Sequence, residues 1–285
     1  MAIYQGYLRK MRVCYESAEK PVEYWLTMAE EDECEQQPLL LNSLLEKRIR
    51  IRYKEEIRCI ACARVSKKSF NQGYCYPCFS RLAACDKCIM SPQKCHYEQG
   101  TCREPQWGET HCMQSHYVYL ANSSGLKVGI TRGDQLPTRW IDQGAIQALP
   151  IFKVSQRYYS GLVEIIYKQQ VSDRTQWQRM LKGQVEVIDL LDHQQVLYQQ
   201  FREPIEQLVA ERGLAEDAIV HLDNETMFAI QYPVISYPTK VKSFNLDKQA
   251  LVEGVLMGIK GQYLILDTGV INIRKFSAYQ VEIEL

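Results

Sequence analysis

No run of apolar residues in this sequence approaches the roughly 18–20 that a helix needs to cross a bilayer, which excludes a helical membrane span. The amino terminus, MAIYQGYLRKMRV, has neither the basic-then-apolar order nor the small-residue cleavage site of a secretory leader, so a cytoplasmic protein is expected. Net charge is missing as well, with 34 Lys+Arg against 34 Asp+Glu. What the chain does have is an ordinary folded composition, 46% hydrophobic and 24% charged, which excludes wholesale disorder. Its 285 residues suffice for about two domains. Eleven cysteines in a reducing compartment are not expected to pair as disulfides, so metal binding is the first reading of any tight cluster.

The zero net charge hides an asymmetry. Residues 59–184 carry 16 Lys+Arg against 8 Asp+Glu, whereas residues 185–240 carry 3 against 10. Either the basic middle presents a cationic face to nucleic acid, or the two stretches face each other within the fold.

The pattern along the chain predicts an α+β protein in five segments. Residues 1–58 read as a β-rich unit, with strands over Tyr4–Val13, Val22–Met28 and Ile49–Tyr53 and an acidic loop over Glu30–Gln37. Residues 59–116 hold nine of the eleven cysteines and little periodicity, a zinc-ribbon-like segment. Residues 117–182 form a small α/β domain: strands at Tyr117–Ala121, Leu126–Thr131 and Leu149–Val154, with helices over Leu136–Gln143 and Gly161–Gln170. Residues 183–249 are mainly helical and acidic, with Leu190, Leu191, Val196, Leu197 and Phe201 as the apolar stripe and Pro204 expected to interrupt it. Residues 250–285 are β-rich again. The rhythm of Gln5–Met11 returns at Glu253–Ile259, which suits two similar β units, two halves of one barrel, or chance.

The strongest motif is Cys59-x2-Cys62, twelve residues, then Cys75-x2-Cys78. Each C-x2-C turn places two sulfurs on one side of a tight loop, and two such knuckles complete a closed tetrahedral zinc site. A redox C-x2-C normally stands alone near a βαβ unit, so the pairing argues for structural zinc. A second zinc is expected at Cys88, Cys95, Cys102 and Cys112, with Cys85, His96 and His111 as competing ligands. Cys14 and Cys34 lie far away in sequence and read as ordinary residues. Both zinc sites are saturated by protein ligands in this reading, which disfavours zinc-hydroxide chemistry.

After the cysteines come Tyr117-Val118-Tyr119-Leu120, then Lys127-Val128-Gly129-Ile130-Thr131, then Arg139-Trp140. In order and spacing this segment, roughly residues 117–180, resembles the GIY-YIG nuclease superfamily. The whole chain resembles an uncharacterised bacterial zinc-containing family with such a domain. The resemblance implies that Tyr119 matches the tyrosine of the first motif, Lys127 stands in the place of the second motif's tyrosine, Arg139 is the helical arginine, and Glu164 is the carboxylate that holds Mg2+ or Mn2+. The departures are Tyr-Val-Tyr for the first tripeptide, Lys127 for a phenol, and Gln143 where active members use His or Tyr. Lys127 serves as a base only where burial lowers its pKa. Arg132, Arg139 and Lys127 are the expected contacts to nucleic acid.

Two functions follow. One is a zinc-stabilised protein that binds RNA or DNA and cleaves it with a divalent cation. The other is a non-catalytic scaffold for a protein partner, built on the zinc ribbon and a degenerate GIY-YIG-like domain.

Overall fold

The computed structural model describes residues 2–30 and 37–285; Cys34 and most of the acidic stretch Glu30–Gln37 lie outside the described residues. The chain forms two compact units. Unit one comprises Met1–Ser80, Gln178–Gln184 and Ile230–Leu285; unit two comprises Arg81–Trp177 and Val185–Ala229. Both are mixtures of helix and antiparallel sheet.

Unit one is built on a seven-stranded sheet whose spatial order is Gly269–Asn272, Tyr263–Leu266, Leu251–Lys260, Arg48–Ile57, Tyr279–Glu284, Ile3–Leu8 and Met28–Ala29. The two β-rich ends of the chain therefore share one sheet, with the Arg48–Ile57 strand at its centre. Period-two alternation makes this work: Ile49, Ile51 and Ile57 are buried while Arg48 and Arg52 face out. Register is reinforced across the strands, since Arg50 sits opposite both Glu253 and Glu284 and bonds to them at 2.8 and 3.2 Å. The echoing segments around Gly6 and Gly254 lie in this same sheet, separated by the Arg48–Ile57 and Tyr279–Glu284 strands. A smaller three-stranded sheet pairs Arg12–Cys14, Glu23–Leu26 and Leu39–Leu40. The long strand predicted over Tyr4–Val13 is thus divided between two sheets.

Unit two has a five-stranded sheet with Leu126–Arg132, His116–Asn122, Gln147–Val154 and Ile219–His221 side by side, and Phe228–Ala229 also paired with Gln147–Val154. Val118, Leu120, Val128, Leu149, Ile151 and Phe152 are its fully buried apolar face. The helices Arg157–Tyr167 and Leu190–Glu211 contribute Val163, Tyr167, Leu197 and Phe201 to that core. Helix Arg157–Tyr167 begins one turn before the expected Gly161. Helix Leu190–Glu211 is capped by Asp189, whose carboxylate accepts from the backbone N–H groups of Leu191 and Asp192. It runs through Pro204 without a break, contrary to the expected interruption. Proline removes one helical hydrogen bond, and burial of Phe201 and Ile205 on either side holds the helix together. Leu191 and Val196, assigned to the apolar stripe, are 44% and 55% exposed; the buried face instead includes Gln194.

Candidate metal centre and active site

The first knuckle follows directly from the end of the central strand of unit one. Cys59 N–H donates to the Arg64 carbonyl at 2.9 Å and Ala63 N–H to the Cys59 carbonyl at 2.9 Å, with Ala63 at φ +56° to close the turn. The second knuckle needs Gly73, at φ +135°, where a Cβ would lie 2.8 Å from the Ile60 side chain. Cys75 then leads into the short helix Tyr76–Arg81, which carries Cys78 in its first turn. The ligand atoms of Cys59, Cys62, Cys75 and Cys78 all lie within 4.8 Å of one another, three of the four residues being buried. Cys62 Sγ and Cys75 Sγ are 3.7 Å apart. A tetrahedron with Zn–S of about 2.3 Å requires sulfurs about 3.8 Å apart, so the cluster is compatible with structural zinc. The thiols are electrostatically unequal. Burial raises the Cys59 pKa, but backbone N–H groups of Cys75, Ala61 and Cys62 outweigh it and bring it to about 7. Burial and the neighbouring sulfurs push Cys78 well up. One thiolate forms readily and opposes the next, the situation a divalent cation relieves.

The later cysteines all belong to unit two. Asp86, Cys88 and His96 bring their ligand atoms within 4.8 Å of one another. The Asp86 carboxylate accepts from Arg103 Nε at 2.7 Å and lies 3.5 Å from His96 Nε2, while His96 Nδ1 is 2.8 Å from the Thr101 hydroxyl. Burial pushes the Cys88 thiol up to about 11, and Asp86, Cys95, Cys112 and Cys102 act in the same direction. The charges of Cys95, Cys112 and Cys102 reach Cys88, but among the described residues only Asp86 and His96 form a group with Cys88 whose ligand atoms lie within 4.8 Å of one another. The expected set Cys88, Cys95, Cys102 and Cys112 is therefore not gathered at ligand distance; Cys85 is buried. Asp86 lies outside the ligand set expected from the cysteines and histidines, although its place two residues before Cys88 is a usable signal. His111 stacks on Trp107 at 4.1 Å, and its Nδ1 is 3.0 Å from the Trp107 carbonyl.

The polar group read from the third segment lies at the hairpin of unit two. Tyr119 sits directly opposite Gly129 on the neighbouring strand. A Cβ at position 129 would lie 2.6 Å from the Tyr119 hydroxyl, so glycine makes the space that ring occupies. Gln143, just past the helix Thr138–Asp142, gathers two donors on one oxygen: Tyr119 OH at 3.2 Å and Lys127 Nζ at 2.7 Å. Lys127 also reaches the Thr175 hydroxyl at 3.3 Å. Burial and the nearby Arg139 charge lower the Lys127 pKa to about 8, against the opposing pull of Asp173 and Glu164. Burial raises the Tyr119 pKa, with the Arg139 charge and hydrogen bond opposing it. Burial likewise raises the Glu164 carboxyl, opposed first by Lys168. Tyr119, Lys127, Arg139 and Glu164 thus act on one another. Arg132 stands apart from them: it pairs with Asp134 at 3.2 Å, and its charge is felt at His116 and Cys112.

Three contributors are not legible in the sequence. Thr175 and Asp173 come from the segment after helix Arg157–Tyr167, which is drawn to the hairpin by the Val128 N–H bond to the Ser172 carbonyl at 2.8 Å. His116 is fully buried, and burial, with the charges of Arg157 and Arg132, lowers its pKa to about 4. Its Nδ1 is 2.7 Å from the Gln114 carbonyl, and its Nε2 has no hydrogen-bond partner. Nothing in the local sequence marks it out.

No curated protein and no solved structure matches the chain. A family model, described as protein of unknown function (DUF2797), matches residues 46–281. The match begins just before the central strand of unit one and takes in both the four-cysteine cluster and the Lys127 group. With far more than half of its length matched in this way, the chain belongs to that family, DUF2797.

Proposed function

We propose that the protein is a zinc-stabilised nucleic-acid-binding protein whose unit two cleaves phosphodiester bonds at the Lys127 group, in the manner of the GIY-YIG-like arrangement that the sequence resembles. The observation that carries this reading is the buried Lys127 amine, brought to a pKa of about 8 and held by Gln143 beside Tyr119. An amine with that pKa is neutral often enough near physiological pH to accept a proton from an attacking water, the role a phenol would otherwise fill. Arg139, whose charge already acts on both Tyr119 and Lys127, stabilises charge on the phosphate. Glu164 and Asp173 face the same region, each acting on Lys127 or the other by charge. Such oxygen donors suit Mg2+ or Mn2+, and Glu164 is the residue that holds the ion. A cation bound there supplies charge stabilisation at the leaving oxygen.

Incubation of the zinc-loaded protein with mixed RNA and DNA, with and without Mg2+ or Mn2+, tests the proposal. Metal-dependent cleavage is expected, slowed roughly 100-fold or more in Lys127→Met and abolished in Glu164→Ala. Cleavage that survives unchanged in Glu164→Ala overturns the assignment.

One observation favours a second reading, a non-catalytic scaffold for a protein partner. Tyr119 is 0% exposed and Lys127 only 4% exposed, so the polar group then serves as an internal lock on the hairpin. In that case the variants lose stability, and no cleavage is seen with either cation.

A further inference from the structure

Between Glu56 and Asp86 the sequence contains no carboxylate side chain and five cations, Arg58, Arg64, Lys67, Lys68 and Arg81. Arg58 is engaged by Glu56 at 2.9 Å. Arg64, Lys67 and Lys68, on the loop between the two knuckles, are exposed and have no ion-pair partner among the described residues. Three rings pack beside this loop. Phe70 stacks on Phe79 with centroids 5.7 Å apart and meets Tyr76 edge-on at 5.5 Å. Tyr76 is 62% exposed, a large aromatic surface left open against Phe70 of the loop that carries these cations. The loop is not slack: Phe70 N–H donates to the Tyr74 carbonyl at 2.8 Å, and the four cysteines tie both of its ends together. A preset surface of this kind loses little conformational freedom on binding.

We propose that this face of unit one binds single-stranded nucleic acid, with Arg64, Lys67 and Lys68 on the phosphates and Tyr76 against a base. The charge is complementary to a phosphodiester backbone, and no carboxylate among the described residues pairs with it. An exposed ring packed on the loop that carries such cations suits a strand whose bases are open for stacking, whereas a duplex hides those faces. An acidic peptide would match the cations but would leave the Tyr76 ring without a role. The surface belongs to unit one and Lys127 to unit two, so binding here does not depend on cleavage there.

The test is fluorescence anisotropy with labelled single-stranded RNA and DNA of mixed sequence and with a duplex control, over a series of salt concentrations. It is run on the full chain in buffer without Mg2+ or Mn2+, so the binding result stands whether or not the protein proves to be a nuclease. Lys67→Ala/Lys68→Ala is expected to flatten the slope of log K against log salt by about 1.4, two phosphate contacts at about 0.7 each. Tyr76→Ala is expected to weaken single-strand binding about fivefold or more and to leave the salt slope unchanged. Zinc content measured alongside separates these effects from loss of the knuckle. If the cations serve only to balance the charge of a four-thiolate centre, the double variant loses zinc retention and binds oligonucleotide as wild type does, and the proposal is overturned. Wild-type affinity and slope in both variants, with zinc intact, overturn it equally.

Discussion

A lysine amine in water keeps its proton to a pH near 10.5; at Lys127, burial and the Arg139 charge bring that to about 8. Two pH dependences follow, both rising with pH but in different windows and from different causes. If the neutral amine is the base, cleavage rises with pH, about tenfold per unit below 8, and levels off above it; a pH–rate profile reads this directly. Stability follows linkage. Between pH 8 and 10.5 the unfolded chain holds a proton that the folded chain has lost, so folding stability rises with pH across that window. Lys127→Met removes the rise, and the stability difference between wild type and variant is expected to move by roughly 3 kcal/mol from pH 7 to pH 10.5 in denaturant titrations. A difference that stays constant over that range would show that Lys127 titrates normally in the folded protein. The residue itself was readable in the sequence as a departure from the tyrosine pattern. Its burial was not, because it depends on Gln143 and Thr175, which arrive from other elements.

At the scale of the element, the two cysteine knuckles were the most legible feature, since their geometry is local and set by spacing. Cys75→Ser is expected to lose about one equivalent of zinc by metal analysis, whereas Cys14→Ser loses none. Cys102→Ser distinguishes the second cluster: loss of a further equivalent assigns an ion to the later cysteines of unit two, and full retention removes Cys102 from any ligand set. The hairpin that carries Tyr119 and Gly129 offers a packing test. Gly129→Ala drives a Cβ to within 2.6 Å of a buried hydroxyl and is expected to destabilise unit two by about 1–3 kcal/mol. In a double-mutant cycle with Tyr119→Ala most of that loss should disappear, because the three atoms nearest to that Cβ all belong to the Tyr119 ring and hydroxyl. Helix boundaries were less readable. Pro204 argued for a break that the burial of Phe201 and Ile205 overrides, a case of tertiary packing outweighing local propensity.

On the scale of the whole molecule, the terminal strands belong to one sheet, and the central strand Arg48–Ile57 has both of its neighbours, Leu251–Lys260 and Tyr279–Glu284, in the last 35 residues. A chain ending at residue 249 is therefore expected to lose the cooperative unfolding of unit one and to expose its sheet edge, as read by circular dichroism and thermal denaturation. Retention of a cooperative transition for the N-terminal strands would mean that they fold without the C-terminal ones. The cysteine-rich stretch is likewise divided, with Cys59–Cys78 in unit one and Cys85–Cys112 in unit two, so a segment that reads as one in sequence is two in space.

The sequence alone determined the features that spacing encodes: the four-cysteine cluster, the absence of a helical membrane span, the alternating strands, and the order Tyr119, Lys127, Arg139, Glu164. These depend on neighbours a few residues away or on composition, and short-range geometry transmits them without loss. Only the tertiary structure decided that the two ends share a sheet, that Asp86 and His96 stand beside Cys88, and that Lys127 is buried against Gln143. Pairing partners and desolvation are set by residues distant in sequence. A strand's alternation says which face it buries, but not against which strand; a lysine's identity fixes its charge, but not the water it loses.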